Sequence, residues 1–303
     1  METKADNMPS LEEFLTLPIE EVIPLAPQTM VYYVSGSRRG AALDGVGTSG
    51  EAYKHWASKE MMRCVSLLFD YGIKHLLMPM VTPGSFSEIT SGYREFLWNW
   101  IDWGLAREEA IEFFIQQGWH VHIPFGEHIP ELKNVIEQLK VTTQFPKKSS
   151  LWIFIVPEQN ILWEWALAKL QAKPVTNTQA AVKLLYGEEI PLATLYLDFG
   201  KPIISSDLLP PFLIGKLESY WSQEPGYSLN DQLFRRILYD FAFIRKTWME
   251  DKSGRAEQAI EYRNAWEGGV VLGLGERLGP FWYPQPTTNP KITTGPNSND
   301  QKE

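Results

Sequence analysis

Short apolar runs recur along this chain between longer stretches of helical periodicity, and that alternation constrains the fold more than any other feature. Leu151 to Val156 reads LWIFIV, the continuous apolar run of a strand buried on both faces of a parallel sheet. Thr29 to Ser35, His75 to Val81, Trp119 to Pro124 and Thr194 to Asp198 read as further strands, with Leu213 to Tyr220 as a sixth. Helical patterns separate them over 51–72, 86–117 (with a break at Gly104), 129–140, 160–172, 177–186 and 229–248. Ser10, followed by Glu12 and Glu13, and Asn230 are candidate N-caps. The class that follows is α/β, a mainly parallel central sheet of about six strands flanked by helices. With no linker inside 10–284, that span reads as a single domain, and the Pro-, Thr-, Asn- and Gly-rich tail over 286–303 is expected to be disordered.

In such sheets ligands bind outside the carboxyl ends of the strands. The first strand ends there in Ser35-Gly36-Ser37-Arg38-Arg39. Arginine carries a planar, permanently charged fork of donors, and glycine and serine leave backbone N–H groups open to a ligand. Such a strand end fits an anion such as phosphate; the same residues would also serve as a turn whose arginines face water. The glycine-rich stretch from Ala41 to Gly50 is expected to be mobile and contains Asp44. Tyr53 starts the next helix, near enough to share the turn's pocket. Farther on, Arg235, Arg236 and Tyr239 share one helical segment; Arg236 could reach an anion or pair with Asp240 on the surface.

Composition removes several classes of function. A net charge of −9 and a pI near 5.2 argue against a nucleic-acid partner. The single cysteine, Cys64, excludes an intrachain disulfide framework and a multi-cysteine zinc site. No signal peptide or integral membrane segment is evident, so the reading is a cytoplasmic globular protein. His120 and His122 share a strand face but lack an evident third ligand, so no metal site is assigned. The Gly273–Gly279 glycines lack the Lys-Ser/Thr of a phosphate loop and read as a strand and turn. Twelve tryptophans suit either an aromatic pocket or plain core filling.

Taken together, these residues resemble the (Z)-prenyltransferase fold, and within it the tuberculosinol (isotuberculosinol) synthase type of diterpene synthase. The resemblance rests on Glu13–Pro18, on the turn at Ser35–Arg39, on Leu67–Ile73 and on Arg235–Asp240. It implies a prenyl diphosphate substrate, of C15–C20 length or already cyclised. The allylic ester ionises, releases pyrophosphate, and the cation is captured by water or another nucleophile. It implies Gly36, Ser37, Arg38, Arg39, Arg236 and Tyr239 as diphosphate ligands, and Met61, Val65, Trp98 and Trp282 as apolar pocket wall. Tyr53 falls where the family has a catalytic tyrosine, and Ser35 where it has a catalytic aspartate. In chain-elongating relatives that aspartate helps hold Mg²⁺, so Mg²⁺ is the cofactor the resemblance implies, with Asp44 as the carboxylate that would substitute. Those relatives also carry two arginines for a second diphosphate, where this chain reads Leu197-Asp198-Phe199-Gly200-Lys201, which argues against ordinary chain elongation. A homodimer is implied because the fold commonly dimerises. The alternative is a non-catalytic member of the fold that binds a prenyl ligand or a partner.

Overall fold

The apolar runs form the sheet. In the computed structural model, β1 (Thr29–Val34), β2 (His75–Val81), β3 (Trp119–His122), β4 (Ser149–Ile155), β5 (Ala193–Phe199) and β6 (Ile214–Ser222) lie in the order β3-β4-β2-β1-β5-β6. Every neighbouring pair is parallel. Residues 8–90, 92–246, 253–264, 272–279 and 281–284 are described. All seven residues of β4 are buried, as its unbroken hydrophobicity requires. Pro79 sits inside the central strand β2, where its missing N–H coincides with a register shift against β4 between Pro79 and Val81.

Among the described residues the helices longer than one turn are α1 (Leu11–Thr16), α2 (Ser37–Leu43), α3 (Gly50–Asp70), α4 (Tyr93–Ala106), α5 (Glu108–Gln117), α6 (Lys133–Leu139), α7 (Ile161–Ala172), α8 (Thr178–Tyr186), α9 (Asp231–Tyr239) and α10 (Arg255–Glu261). Ser10 and Glu13 close a capping box on α1, and Asn230 caps α9 through the Leu233 N–H. Several boundaries differ from the sequence reading; the helix expected from residue 86 begins only at Tyr93. The arginine turn is the start of α2, because Gly40 packs against Trp56 and the Gly226 carbonyl, contacts that local sequence does not encode. The break in 86–117 falls at Arg107, whose backbone is extended, and not at Gly104, which α4 buries. Residues 126–132 form two short 3₁₀ turns ahead of α6. Beyond α9 the chain continues as a π-helical segment, Asp240–Ile244.

Contacts divide the chain into two compact units, 1–246 and 247–303, where sequence alone grouped 10–284. In the second, β7 (Gly275–Leu278) and β8 (Phe281–Pro284) form an antiparallel hairpin that pairs Arg277 with Trp282. The tail 286–303 lies outside the described residues. No helix among the described residues is long and apolar enough to cross a membrane.

The motif at Arg235–Asp240 fastens the N-terminal segment to the first unit. Arg235, 8% exposed, donates to the Leu17 carbonyl at 2.8 Å and to Asp231 at 3.0 Å, and lies over the Tyr71 ring. The Tyr239 hydroxyl donates to the Pro9 carbonyl at 3.0 Å, and its ring packs on Phe14. Tyr71 follows α3 and precedes β2, so this clamp sits at the amino ends of the strands.

Candidate active site

The strand order places a reversal between β1 and β5. From β1 the chain moves to β2 on one side; from β5 it moves to β6 on the other. Ligands in open parallel sheets bind in the crevice such a reversal opens at the carboxyl ends. The two strands end there in Ser35 and Gly200. Ser35 N–H donates to the Phe199 carbonyl at 3.2 Å, and its Oγ–H donates to the same oxygen. Gly36 caps α2 with φ +75°, and a Cβ there would stand 2.8 Å from the Arg39 Cζ, so the guanidinium lies directly over this glycine. Gly200, at φ +142°, packs its open face on Ser35 Oγ, where any side chain would collide.

Arg38 and Arg39 leave the first turn of α2. Arg38 grips the Glu88 carboxylate with both nitrogens, at 3.1 and 2.7 Å, and stands 4.6 Å over the Tyr93 ring. Each charge favours the ionised state of the other: the pair raises the Arg38 pKa and lowers that of Glu88. A bidentate carboxylate on this fork shows that it can hold two oxygens of an oxyanion. Ser37 Oγ and Tyr53 OH share a 2.8 Å hydrogen bond. Burial raises the Tyr53 pKa, so its phenol stays protonated at neutral pH.

Aromatic rings continue outward from Tyr53. Its ring lies 6.3 Å from Trp56 and 6.0 Å from Phe96, Phe96 lies 6.3 Å from Tyr93, and Trp56 lies 6.0 Å from Tyr227. Trp98 packs 4.8 Å from Phe86 in the next layer. Such ring faces attract cations and exclude water. Tyr53 and Trp98 are expected at the site from sequence, and Tyr93 and Phe96 belong to the aromatic cluster over 93–103 that the sequence offers as its wall. Glu88 is not marked by the sequence as a site residue, because what identifies it is its contact with Arg38, 50 positions away.

Other expected site residues lie elsewhere. Asp44 caps the far end of α2, about 12 Å along the axis from Gly36. There it accepts from Trp56 Nε1 at 2.9 Å, so it does not substitute at the turn. Arg236 is exposed on α9, and Tyr239 is committed to the Pro9 carbonyl and the Phe14 ring, so neither is seen with Arg38 and Arg39. The expected Arg236–Asp240 pair gives way to one between Asp240 and Arg245 at 2.7 Å. Met61 and Val65 are core residues, 1% and 0% exposed. Trp282 lies in the hairpin of the second unit. His122 stacks on Trp152 at 4.1 Å, and burial lowers its pKa to about 4. His120 meets the Phe145 carbonyl at 2.8 Å.

The turn does not make a cation site of its own. Ser35 is bonded to Phe199, Glu88 to Arg38 and Asp44 to Trp56. Among the described residues no group of three His, Cys, Asp or Glu is placed to hold a metal. A hard divalent cation needs oxygen ligands, commonly one or two carboxylates together with the substrate's phosphates.

One further carboxyl is buried within the sheet. Asp198 on β5 is the register partner of Tyr33 and is 1% exposed. Burial pushes its carboxyl up to about 7 from the ordinary 3.8. Because the folded value is the higher one, this group favours folding fully below pH 4 and loses that contribution as pH rises through 7. A displacement of that size is worth about 4 kcal/mol. Asp198→Asn is therefore expected to be more stable than the parent by up to about 4 kcal/mol at pH 8, with the gain vanishing near pH 4. Urea unfolding at the two pH values measures it.

The six-stranded, all-parallel α/β sheet flanked by helices is the fold of the cis-prenyltransferases. Solved structures agree. Lavandulyl diphosphate synthase from Lavandula x intermedia, crystallised with dimethylallyl diphosphate, matches with a TM-score of 0.57 at 15% identity, covering 73% of this chain and 97% of that one. A probable undecaprenyl diphosphate synthase from Campylobacter jejuni matches at 0.54 and 16% identity, with the same coverage. No protein-family model matches the chain. Among curated proteins, (+)-kolavelool synthase of Herpetosiphon aurantiacus is 42% identical over 280 residues, 92% of this chain and 97% of that protein. Tuberculosinyl adenosine transferase of Mycobacterium tuberculosis is 24% identical over 306 residues, 91% of this chain and 99% of that protein. The chain belongs to the family of (+)-kolavelool synthase, diterpene synthase-like enzymes on the cis-prenyltransferase fold.

Proposed function

We propose that this enzyme ionises a C15–C20 prenyl or cyclic terpenyl diphosphate, releases pyrophosphate, and lets water or another nucleophile capture the allylic cation. The observation that carries this reading is the cradle at the β1–β5 reversal, where Gly36, Ser37, Arg38 and Arg39 adjoin the aromatic wall of Tyr53, Trp56, Tyr93 and Phe96. As the ester C–O bond breaks, its electron pair goes to the leaving oxygen. Fixed cationic donors offset the charge that grows there, which lowers the barrier more than it lowers the ground state. The cation left behind faces rings and not bulk water. Glu88 stands in for the diphosphate on Arg38 and must yield to it. A Mg²⁺ accompanying the substrate would be carried largely by the diphosphate oxygens, with Glu88, once displaced from Arg38, the carboxylate nearest to join them.

The test is pyrophosphate release from geranylgeranyl diphosphate and from a bicyclic C20 diphosphate, with and without Mg²⁺, with the organic extract analysed in parallel. Release with a terpene alcohol or hydrocarbon is the expected result. Binding without release from either substrate contradicts the reading.

A further inference from the structure

The stretch of chain between β2 and α4 meets the cradle at one charged point. Glu88 Oε1 and Oε2 accept from the two terminal nitrogens of Arg38 at 3.1 and 2.7 Å, and Oε1 also accepts from Thr90 Oγ1 at 2.8 Å. Tyr93, farther along the same stretch, lays its ring 4.6 Å from the same guanidinium. Beside Glu88, Ile89 is 99% exposed and packs on nothing, so the hold at this point is polar. Water reaches both ends of the ion pair, since Arg38 is 43% and Glu88 24% exposed, and a pair of that kind exchanges its partner at small cost. A Glu88 that leaves Arg38 keeps Thr90 as a donor. The bonds from Arg38, and to a smaller extent from Thr90, lower the Glu88 pKa against the opposing effect of burial, so the group is a carboxylate at neutral pH.

We infer that Glu88 is a built-in competitor for the Arg38 side of the diphosphate site, and that its return to Arg38 after reaction expels pyrophosphate. This rests on the reaction proposed above and concerns its last step. No covalent bond changes in that step: one ion pair replaces another on Arg38, and pyrophosphate leaves to solvent. Both nitrogens at the end of the Arg38 fork are taken by the carboxylate, so a phosphate that binds there must displace it. Substrate and product present the same diphosphate to the same donors. The substrate adds an apolar tail, whose burial the product lacks. A competitor on Arg38 weakens both by one factor, which leaves the substrate held by its tail and lets the product go.

The experiment is a double-mutant cycle. Inorganic pyrophosphate is titrated calorimetrically, at physiological salt and without divalent metal, into the parent, Glu88→Gln, Arg38→Ala and the double variant, with circular dichroism as the control for folding. Product inhibition by pyrophosphate is then measured on the parent and Glu88→Gln, using whichever of geranylgeranyl diphosphate and a bicyclic C20 diphosphate the parent turns over. Glu88→Gln is expected to bind pyrophosphate about five- to tenfold more tightly than the parent, and to be inhibited at correspondingly lower pyrophosphate. In the Arg38→Ala background the same change is expected to alter binding by less than about twofold, because no arginine is left to compete for and the remaining repulsion is screened. Equal affinity in the parent and Glu88→Gln would overturn the inference. So would a gain of the same size with Arg38 absent, since that reports only the removal of a nearby negative charge. Tighter binding with unchanged product inhibition would overturn the role in release. Should Glu88→Gln not fold, Glu88→Ala takes its place in the cycle. A parent that turns over substrate but shows no coupling between Glu88 and Arg38 defeats this inference alone; a parent that turns over neither substrate defeats the underlying reaction, and the role in release with it.

Discussion

Arg39→Ala is expected to reduce pyrophosphate release by roughly 100- to 1,000-fold, and Arg38→Ala by a similar factor. Both side chains leave the first turn of α2, with the Arg39 guanidinium lying over Gly36 and that of Arg38 already gripping a carboxylate. A donor aimed at a leaving diphosphate is worth most when bond breaking has placed charge on it, so the loss falls mainly on kcat. Stability should change little. The Arg38–Glu88 pair is part-exposed, 43% and 24%, and such pairs contribute at most about 1 kcal/mol. Stopped turnover in variants that unfold like the parent is the signature of a site residue.

Arg235→Ala is expected to give the reverse pattern. Its loss leaves the Leu17 carbonyl short of a donor, leaves Asp231 with the Tyr71 hydroxyl alone and removes the cation over Tyr71. Breaking a buried charge-assisted network of this kind costs about 3 kcal/mol. Turnover per folded molecule should hold, because the clamp lies at the amino ends of the strands and the arginine cradle at the carboxyl ends. Denaturant unfolding and activity normalised to folded protein separate the two effects. Arg236→Ala, on the exposed side of the same helix, should change neither.

These two expectations also mark how far the sequence could be read. The strands were legible because burial on both faces demands continuous hydrophobicity, as in LWIFIV over β4. The cradle was legible because a strand end followed by small residues and two arginines is a local pattern. What was not legible depends on distant neighbours. Gly40, Ala41 and Ala42 read as loop, yet α2 forms because Trp56 and Gly226 pack against Gly40. The Arg-Arg-x-x-Tyr-Asp motif was recognisable, but its partners are Pro9, Phe14 and Leu17, more than 200 positions away. Asp44 lies eight positions from Gly36, and the intervening helix places it on Trp56 and away from the turn.

The central claim is that Arg38 and Arg39, and not the arginines of α9, hold the diphosphate. Calorimetric titration of inorganic pyrophosphate into the parent protein, Arg39→Ala and Arg236→Ala tests it most directly. The account predicts one site in the parent, binding weakened at least about tenfold in Arg39→Ala by the loss of a charge-assisted contact, and unchanged binding in Arg236→Ala. Intact binding in Arg39→Ala together with lost binding in Arg236→Ala would contradict it and move the site to the opposite end of the sheet.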